Sequence, residues 1–224
     1  MRLRFISAVF LVAGFAGLAA SRSRGAELDL YAGPEVNAFS MLHDTETTAG
    51  FEVGARYWLL PLLGLDAGVT DFGRVVNGFP VKATYSPGQA MPLYVLQTQG
   101  TNSLDVSSSS FHLLAETRLH WGDRLGAWLG IGPEIATNRA TSNLQIGFPN
   151  FHPTYSGTRR SCGFMAKAGL DYEIVPTLSL GFELHYSISP AFNNFSFYPE
   201  FENADIGSQQ MKVLGGGVQL VWSL

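Results

Sequence analysis

From Glu27 onward, apolar and polar residues alternate with a period of two through eight separate stretches, and Asp71 and Lys212 are the only Asp, Glu, Lys, Arg or His on the apolar parity of any of them. Successive side chains of an extended chain point to opposite sides, so this alternation defines strands with one apolar face. The stretches run over about 27–39, 50–60, 63–75, 109–121, 124–137, 161–174, 177–189 and 211–224. The fourth shows the pattern most cleanly: Phe111, Leu113, Ala115, Thr117, Leu119 and Trp121 alternate with His112, Leu114, Glu116, Arg118 and His120. A helical core is ruled out by such spacing. The 25 glycines, 16 Phe, 8 Tyr and 4 Trp lean the same way, toward strands and turns.

Two all-β architectures accept eight alternating strands: a soluble barrel with an apolar inside, or a membrane barrel with an apolar outside. Three features favour the second. The connections alternate between minimal turns, at Pro61-Leu62, Gly122-Asp123 and Val175-Pro176, and long segments over 40–49, 76–108, 138–160 and 190–210. That rhythm distinguishes the two ends of an outer-membrane barrel. Aromatic residues also mark the strand ends on the apolar parity: Tyr57, Trp121, Tyr172 and Trp222 beside the short turns, and Phe51, Phe111, Phe164 and Tyr186 beside the long segments. Ten steps of about 3.3 Å from Phe111 to Trp121, tilted near 40°, project to roughly 25 Å, the height of a bilayer's apolar band. Finally, glycines fall on the polar parity, which suits a cramped interior. The expected fold is an eight-stranded antiparallel up-and-down transmembrane β-barrel over residues 26–224, monomeric and with no further domain after it. An even strand number with Leu28 leading away and Leu224 returning places both termini in the periplasm of a Gram-negative bacterium.

Residues 1–25 read as a secretory signal: Arg2 and Arg4 precede an apolar run from Phe5 to Ala20, and small residues follow. At 16 residues the run is short of the ~20 a spanning helix needs. Removing it takes Arg2, Arg4, Arg22 and Arg24, moving the formal net charge from −4 to about −8. An acidic chain does not point to nucleic acid. Its single cysteine, Cys162, rules out an internal disulfide framework, and no CxxC or Cys/His spacing marks a zinc site. No GxSxG, HExxH, P-loop or dinucleotide motif occurs, so neither an enzyme nor a cofactor is expected.

The segment Gly169-Leu-Asp-Tyr-Glu-Ile-Val-Pro-Thr-Leu-Ser-Leu-Gly-Phe-Glu-Leu-His-Tyr186 resembles the sixth and seventh strands of the eight-stranded outer-membrane barrels, the OmpA transmembrane domain and the opacity-type surface proteins. The likeness is sharp over about 18 residues and architectural elsewhere. It implies a structural or surface-interaction role in the outer membrane, in contact with lipid and lipopolysaccharide, with a narrow porin-like channel as the alternative. Those families commonly end on Phe, whereas here Trp222 and Leu224 close the chain. His185-Tyr-Ser187 is similar to the His-x-Ser element of the outer-membrane lipid A 3-O-deacylases, but Ile188-Ser-Pro190 replaces the Asn-Ala-Gly expected after it, and His185 falls on the interior parity. A second internal echo pairs Ala32-Gly-Pro-Glu-Val36 with Ile131-Gly-Pro-Glu-Ile135, where Pro34 and Pro133 are expected to mark bulges or bends.

The polar parity supplies the interior candidates Glu35, Glu52, Asp66, Glu116, Glu134 and Glu183, with Asp171 and Glu173, against Arg56, Arg118 and Lys167, joined by His185, His112 and His120. An eight-stranded lumen is just wide enough for side chains to fill, so these read as a salt-bridge network in place of an apolar core. Their acid excess calls for interior waters, protonated carboxyls or a bound cation. On the long segments, Phe151, His152, Tyr155, Arg159 and Arg160, and then Phe195, Phe197 and Tyr198, combine aromatics with arginine as a partner-binding surface does. Two readings stay open for them: an extracellular ligand or host-surface site, or hairpins extending beyond the bilayer with aromatics packed on one another. Arg159 and Arg160 also suit lipopolysaccharide phosphates.

Overall fold

Eight antiparallel strands pair in chain order, and the last pairs with the first, so the sheet closes into a barrel. The computed structural model describes residues 27–41, 44–85, 96–121, 124–146, 154–189 and 211–224. Its strands are β1 (Glu27–Met41), β2 (Asp44–Leu60), β3 (Leu63–Tyr85), β4 (Leu96–Trp121), β5 (Leu125–Ile146), β6 (Thr154–Val175), β7 (Leu178–Ser189) and β8 (Met211–Ser223). Among the described residues there is no helix. Closure leaves no unpaired sheet edge around the girth, the condition a strand protein must meet to sit in lipid.

The two parities separate as inside and outside. Leu65, Leu113, Leu129, Ile131, Leu184 and Leu220 point away from the axis and are exposed, together with most of the other large aliphatic side chains. Glu52, Arg56, Asp66, His112 and Lys167 point inward and are buried. A continuous apolar band around a protein's outside is intolerable in water and is what a bilayer requires.

Room inside comes from register. The bulky interior side chains stand beside glycines on neighbouring strands: Tyr31 beside Gly54, Glu52 beside Gly33, His112 beside Gly68, Trp128 beside Gly169, Lys167 beside Gly130. A Cβ on Gly68 would stand 2.7 Å from the His112 ring, and one on Gly64 2.6 Å from the Trp58 ring. The interior glycines are therefore the complement of the interior aromatics and charges, position by position.

The strand ladders correct two expectations. Pro34 and Pro133 produce no register shift; each leaves a gap in one ladder, between β1 and β8 and between β4 and β5, because proline has no N–H to donate. In both, the preceding Gly33 or Gly132 lets a carbonyl of the adjacent strand, Val218 or Leu113, press against the Cα. The internal echo is one packing solution used twice. The bulge falls instead at Gly73, where the β3–β4 register shifts and φ is +89°, in the left-handed region that favours glycine. Its N–H donates to Asp71 Oδ1 at 3.0 Å. The shift exchanges the faces of β3, so Phe72 and Val75 both turn inward.

Among the described residues, the first three long segments are strand, and 190–210 lies outside the described residues. Residues 40–49 hold the ends of β1 and β2, paired as far as Met41 and Asp44; residues 76–85 pair with 96–105, and 138–143 with 154–159. Of the short turns, the third sits at Pro176-Thr177, one residue later than expected. A strand needs roughly 33 Å of contour to cross a 25 Å band at a 40° tilt. β7, with 12 residues, is a little longer than that, whereas β4, with 26, is about two and a half times it. Consequently β3, β4, β5 and β6 continue past the barrel as one four-stranded crest on one side of its mouth, at the end opposite the short turns.

Candidate functional site

The lumen is packed from the turn end upward in layers. At the mouth, Trp58 donates its indole N–H to Asp29 Oδ2 at 2.7 Å, and Ser223 donates to Asp29 Oδ1 at 2.6 Å. Arg118 lies 4.3 Å from the Trp58 ring centroid and donates to Glu27 at 2.6 Å. A cavity of about 110 Å³ opens among these residues, Asp171 and Trp128.

Arg56 forms the next layer. Its guanidinium stacks between Trp128, 3.8 Å from the ring centroid, and Tyr31, at 4.5 Å. It reaches Asp171 at 3.3 Å, Glu116 at 3.7 Å and Glu183 at 3.8 Å, and donates to Gln219 Oε1 at 3.0 Å. With two rings and three acids from β1, β4, β5, β6 and β7 around it, this one cation of β2 reaches across the lumen. Above it, Lys167 pairs with Glu52 and stands 3.5 Å from Glu183 and 3.7 Å from Asp66. Tyr31 donates to Asp66 Oδ1 at 2.8 Å and lies 3.3 Å from His112 Nε2. Gln219 donates to Glu52 at 2.9 Å and to Glu183 at 2.6 Å, joining the two cationic centres.

Glu35, His185, Glu134 and Ser187 come next, and then an aromatic lid. Phe72 lies 5.7 Å from the His185 ring and meets Phe39 edge-on at 6.1 Å. The interior side chains of these layers are buried: Tyr31, Glu35, Phe39, Glu52, Arg56, Asp66, Phe72, His112, Lys167, Glu183 and His185 are each at most 3% exposed.

Of the interior candidates, the structure brings Glu52, Arg56, Asp66, Glu116, Lys167 and Glu183 into one connected cluster, with Glu35 and His185 on its upper side. Glu134 stands apart, accepting from Ser187. Arg118 belongs to the turn-end rim with Glu27. Seven buried carboxyls, from Asp29, Glu35, Glu52, Asp66, Glu116, Glu134 and Glu183, face two buried permanent cations among the described residues, Arg56 and Lys167. Charge alone did not single out Tyr31, Trp58, Phe72, Trp128 and Gln219, which complete the packing; their place on the polar parity, beside glycines, was the available signal.

His185 and Ser187 share the inward face, but Ser187 donates to Glu134 and the imidazole faces Glu35 and Glu183. No serine–histidine pair forms.

Outside, Phe51, Phe111, Phe164 and Tyr186 are exposed near the crest end, and Tyr172 and Trp222 near the turns. Tyr57 is half-buried on the outward parity, and Trp121 closes the β4 ladder opposite Leu125. On the crest, Arg159 and Arg160 are exposed strand residues of β6 opposite Asn138 and Thr137, and Tyr155 pairs with Ser142. Arg139 of β5, which the sequence reading did not single out, is exposed diagonally from Arg160 on the outward face. Phe151, His152, Phe195, Phe197 and Tyr198 lie outside the described residues.

An inside-out barrel of eight strands, apolar on its surface and ionic in its core, is a transmembrane β-barrel of the kind built into outer membranes. Solved structures share the fold. Ail, the attachment invasion locus protein of Yersinia pestis, in complex with the heparin analogue sucrose octasulfate, matches at a TM-score of 0.50 and 13% identity, over 89% of this chain and 99% of Ail. OprG of Pseudomonas aeruginosa matches at 0.48 and 10% over 89% and 96%, and Neisserial surface protein A at 0.45 and 14% over 90% and 99%. No family model matches the sequence, and no curated protein is similar to it.

Proposed function

We propose that this chain is an outer-membrane protein of a Gram-negative bacterium, exported by cleavage of residues 1–25, whose barrel is a structural anchor and whose function lies at the crest. The observation that carries this reading is the Arg56 layer: a guanidinium beside the Trp128 and Tyr31 rings and faced by three acids occupies the middle of the lumen, which supports a blocked rather than a conducting barrel. Function is then displaced from the lumen to the surface. The crest lies at the end of the barrel opposite Glu27 and Leu224, and this supports a reading in which it faces outside the cell while the termini lie in the periplasm.

Arg139 and Arg160 stand on the outward face just beyond Ile135 and Phe164, at the height where lipopolysaccharide phosphates meet the apolar band. They support a lipid-contacting role there. An extracellular ligand or host surface is the partner of the crest above them, and Ail, which shares the fold, is known with a sulfated heparin analogue. The protein acts as a monomer without catalysis.

Planar-bilayer recording tests the reading. The wild-type protein is expected to be silent; stable conductance steps would replace the anchor with a narrow channel. Mass spectrometry of lipid A from cells with and without the protein is expected to give one acylation pattern, and a lost acyl chain would restore a hydrolase.

A further inference from the structure

Glu35, Glu183 and His185 are all buried, and each contributes one donor atom to a group lying within 4.8 Å of one another. They are brought together by register across three strands. Glu35 of β1 is opposite Gly217 of β8, and Gly217 is opposite Glu183 of β7. One row higher, Asn37, Gly215 and His185 align in the same way. The middle strand contributes no side chain in either row, so residues two strands apart meet over it. A Cβ on Gly217 would stand 3.0 Å from Glu35 Cγ, and one on Gly215 would overlap the His185 ring and Asn37 Oδ1.

The donors are unsatisfied by the rest of the protein. Both carboxylate oxygens of Glu35, both ring nitrogens of His185 and Oε1 of Glu183 have no hydrogen-bond partner. Buried polar atoms left unpaired are destabilising, and more so when they are charged. His185 Nδ1 lies 3.5 Å from Glu183 Oε1 and 3.8 Å from Glu35 Oε1, and neither approach is a hydrogen bond. Two donors bound at about 2.1 Å to one tetrahedral ion stand roughly 3.4 Å apart, so these spacings are near what a shared ion needs. We propose that Glu35, Glu183 and His185 form a binding site for one divalent transition-metal ion of the zinc or manganese type, held inside the barrel.

One imidazole with two carboxylates is a donor set for such ions. Asn37 Oδ1, also without a partner, stands on the Cε1–Nε2 side of the same ring. The surrounding charge favours a cation, since the buried acids outnumber Arg56 and Lys167, and the Lys167 ammonium that approaches Glu183 at 3.5 Å is already committed to Glu52. Phe72 covers the His185 ring from the crest end and the Arg56 layer closes the other side, so the ion is captured as the barrel folds. It would bridge β1 to β7 across the seam where β8 closes the sheet. The site stands independently of what the crest binds.

The test uses the mature chain without a histidine tag, refolded from urea into detergent micelles with zinc or cobalt(II), washed with a chelator to strip exposed sites such as His120, and desalted. Metal analysis is expected to find close to one ion per folded chain, and cobalt to show visible absorption of an imidazole–carboxylate site. Glu35→Gln and His185→Gln are each expected to lower retained metal at least tenfold, with folding checked by heat-modifiable gel migration. Folded wild type that retains no metal, or folded variants that retain as much as wild type, would overturn the site. Ring ¹⁵N shifts of His185 in the zinc-refolded wild type decide the matter without variants. A metal-bound neutral imidazole is expected, and an imidazolium paired only to Glu35 and Glu183 would refute the proposal.

Discussion

The Arg56 guanidinium carbon lies 3.8 Å from the centroid of the Trp128 ring, in the middle of the barrel. Indole is the best aromatic partner for a cation, and burial removes the competing water. Arg56→Ala leaves Glu116, Asp171 and Glu183 without their shared counter-ion. Losing one partner of a buried ion pair costs about 3–5 kcal/mol. The urea midpoint of the barrel in lipid vesicles is expected to fall accordingly, and an Arg56→Ala barrel as stable as wild type would mean that the stack is incidental.

Ile131 is among the most exposed apolar residues of the outward face, at 65%. In water, replacing it by lysine would be harmless. In a bilayer, Ile131→Lys near the middle of the band is expected to cost about 2–4 kcal/mol, while Thr158→Lys on the crest leaves stability unchanged. Equal midpoints for the two variants in vesicle unfolding would deny that the apolar face meets lipid.

Gly33 and Gly78 predict opposite outcomes for one substitution. A Cβ at Gly33 overlaps the backbone carbonyl of Val218, which cannot move without parting β1 from β8; at Gly78 nothing lies within 4 Å. Gly33→Ala is expected to destabilise by about 1–3 kcal/mol and Gly78→Ala by no more than about 0.5 kcal/mol. Thermal shift of gel migration compares them directly.

The crest is an extension of a barrel already complete below it. Replacing residues 77–104 by a two-residue Asn-Gly turn is expected to leave heat-modifiable migration and the urea midpoint unchanged, because β3 still pairs with β4 and β2 through the membrane band. Failure of the shortened chain to fold would make the crest part of the scaffold.

The barrel itself was legible because lipid outside and charge inside impose a period of two, as along Phe111 to Trp121. The crest was not. Ser107-Ser-Ser-Ser110 and Thr137-Asn-Arg-Ala-Thr-Ser-Asn143 carry small polar residues on both faces, with Ser108, Ser110, Asn138 and Ser142 buried, so their composition has little apolar contrast and reads as loop. The Gly73 bulge escaped for a related reason: a one-residue shift is invisible where Asp71, Phe72 and Arg74 stand without regular alternation. The interior ions were legible as a set, but not their partners. Glu35 and Glu183 are far apart in sequence and meet only through the registers of β1 and β7 on β8, which are set by the closed barrel.

Gly215 and Gly217 also bear on the order of assembly. β8 lies between β1 and β7, so in an assembly that ends at the C-terminal strand it is β8 that closes the sheet. At the level of the ion cluster its inward face is bare except for Gln219, which is neutral and donates to both Glu52 and Glu183. No charge has to be carried into a nearly finished interior and stripped of water at the last step. The closing strand works as a latch with a single uncharged tooth, and the electrostatic cost of the core is met before it shuts.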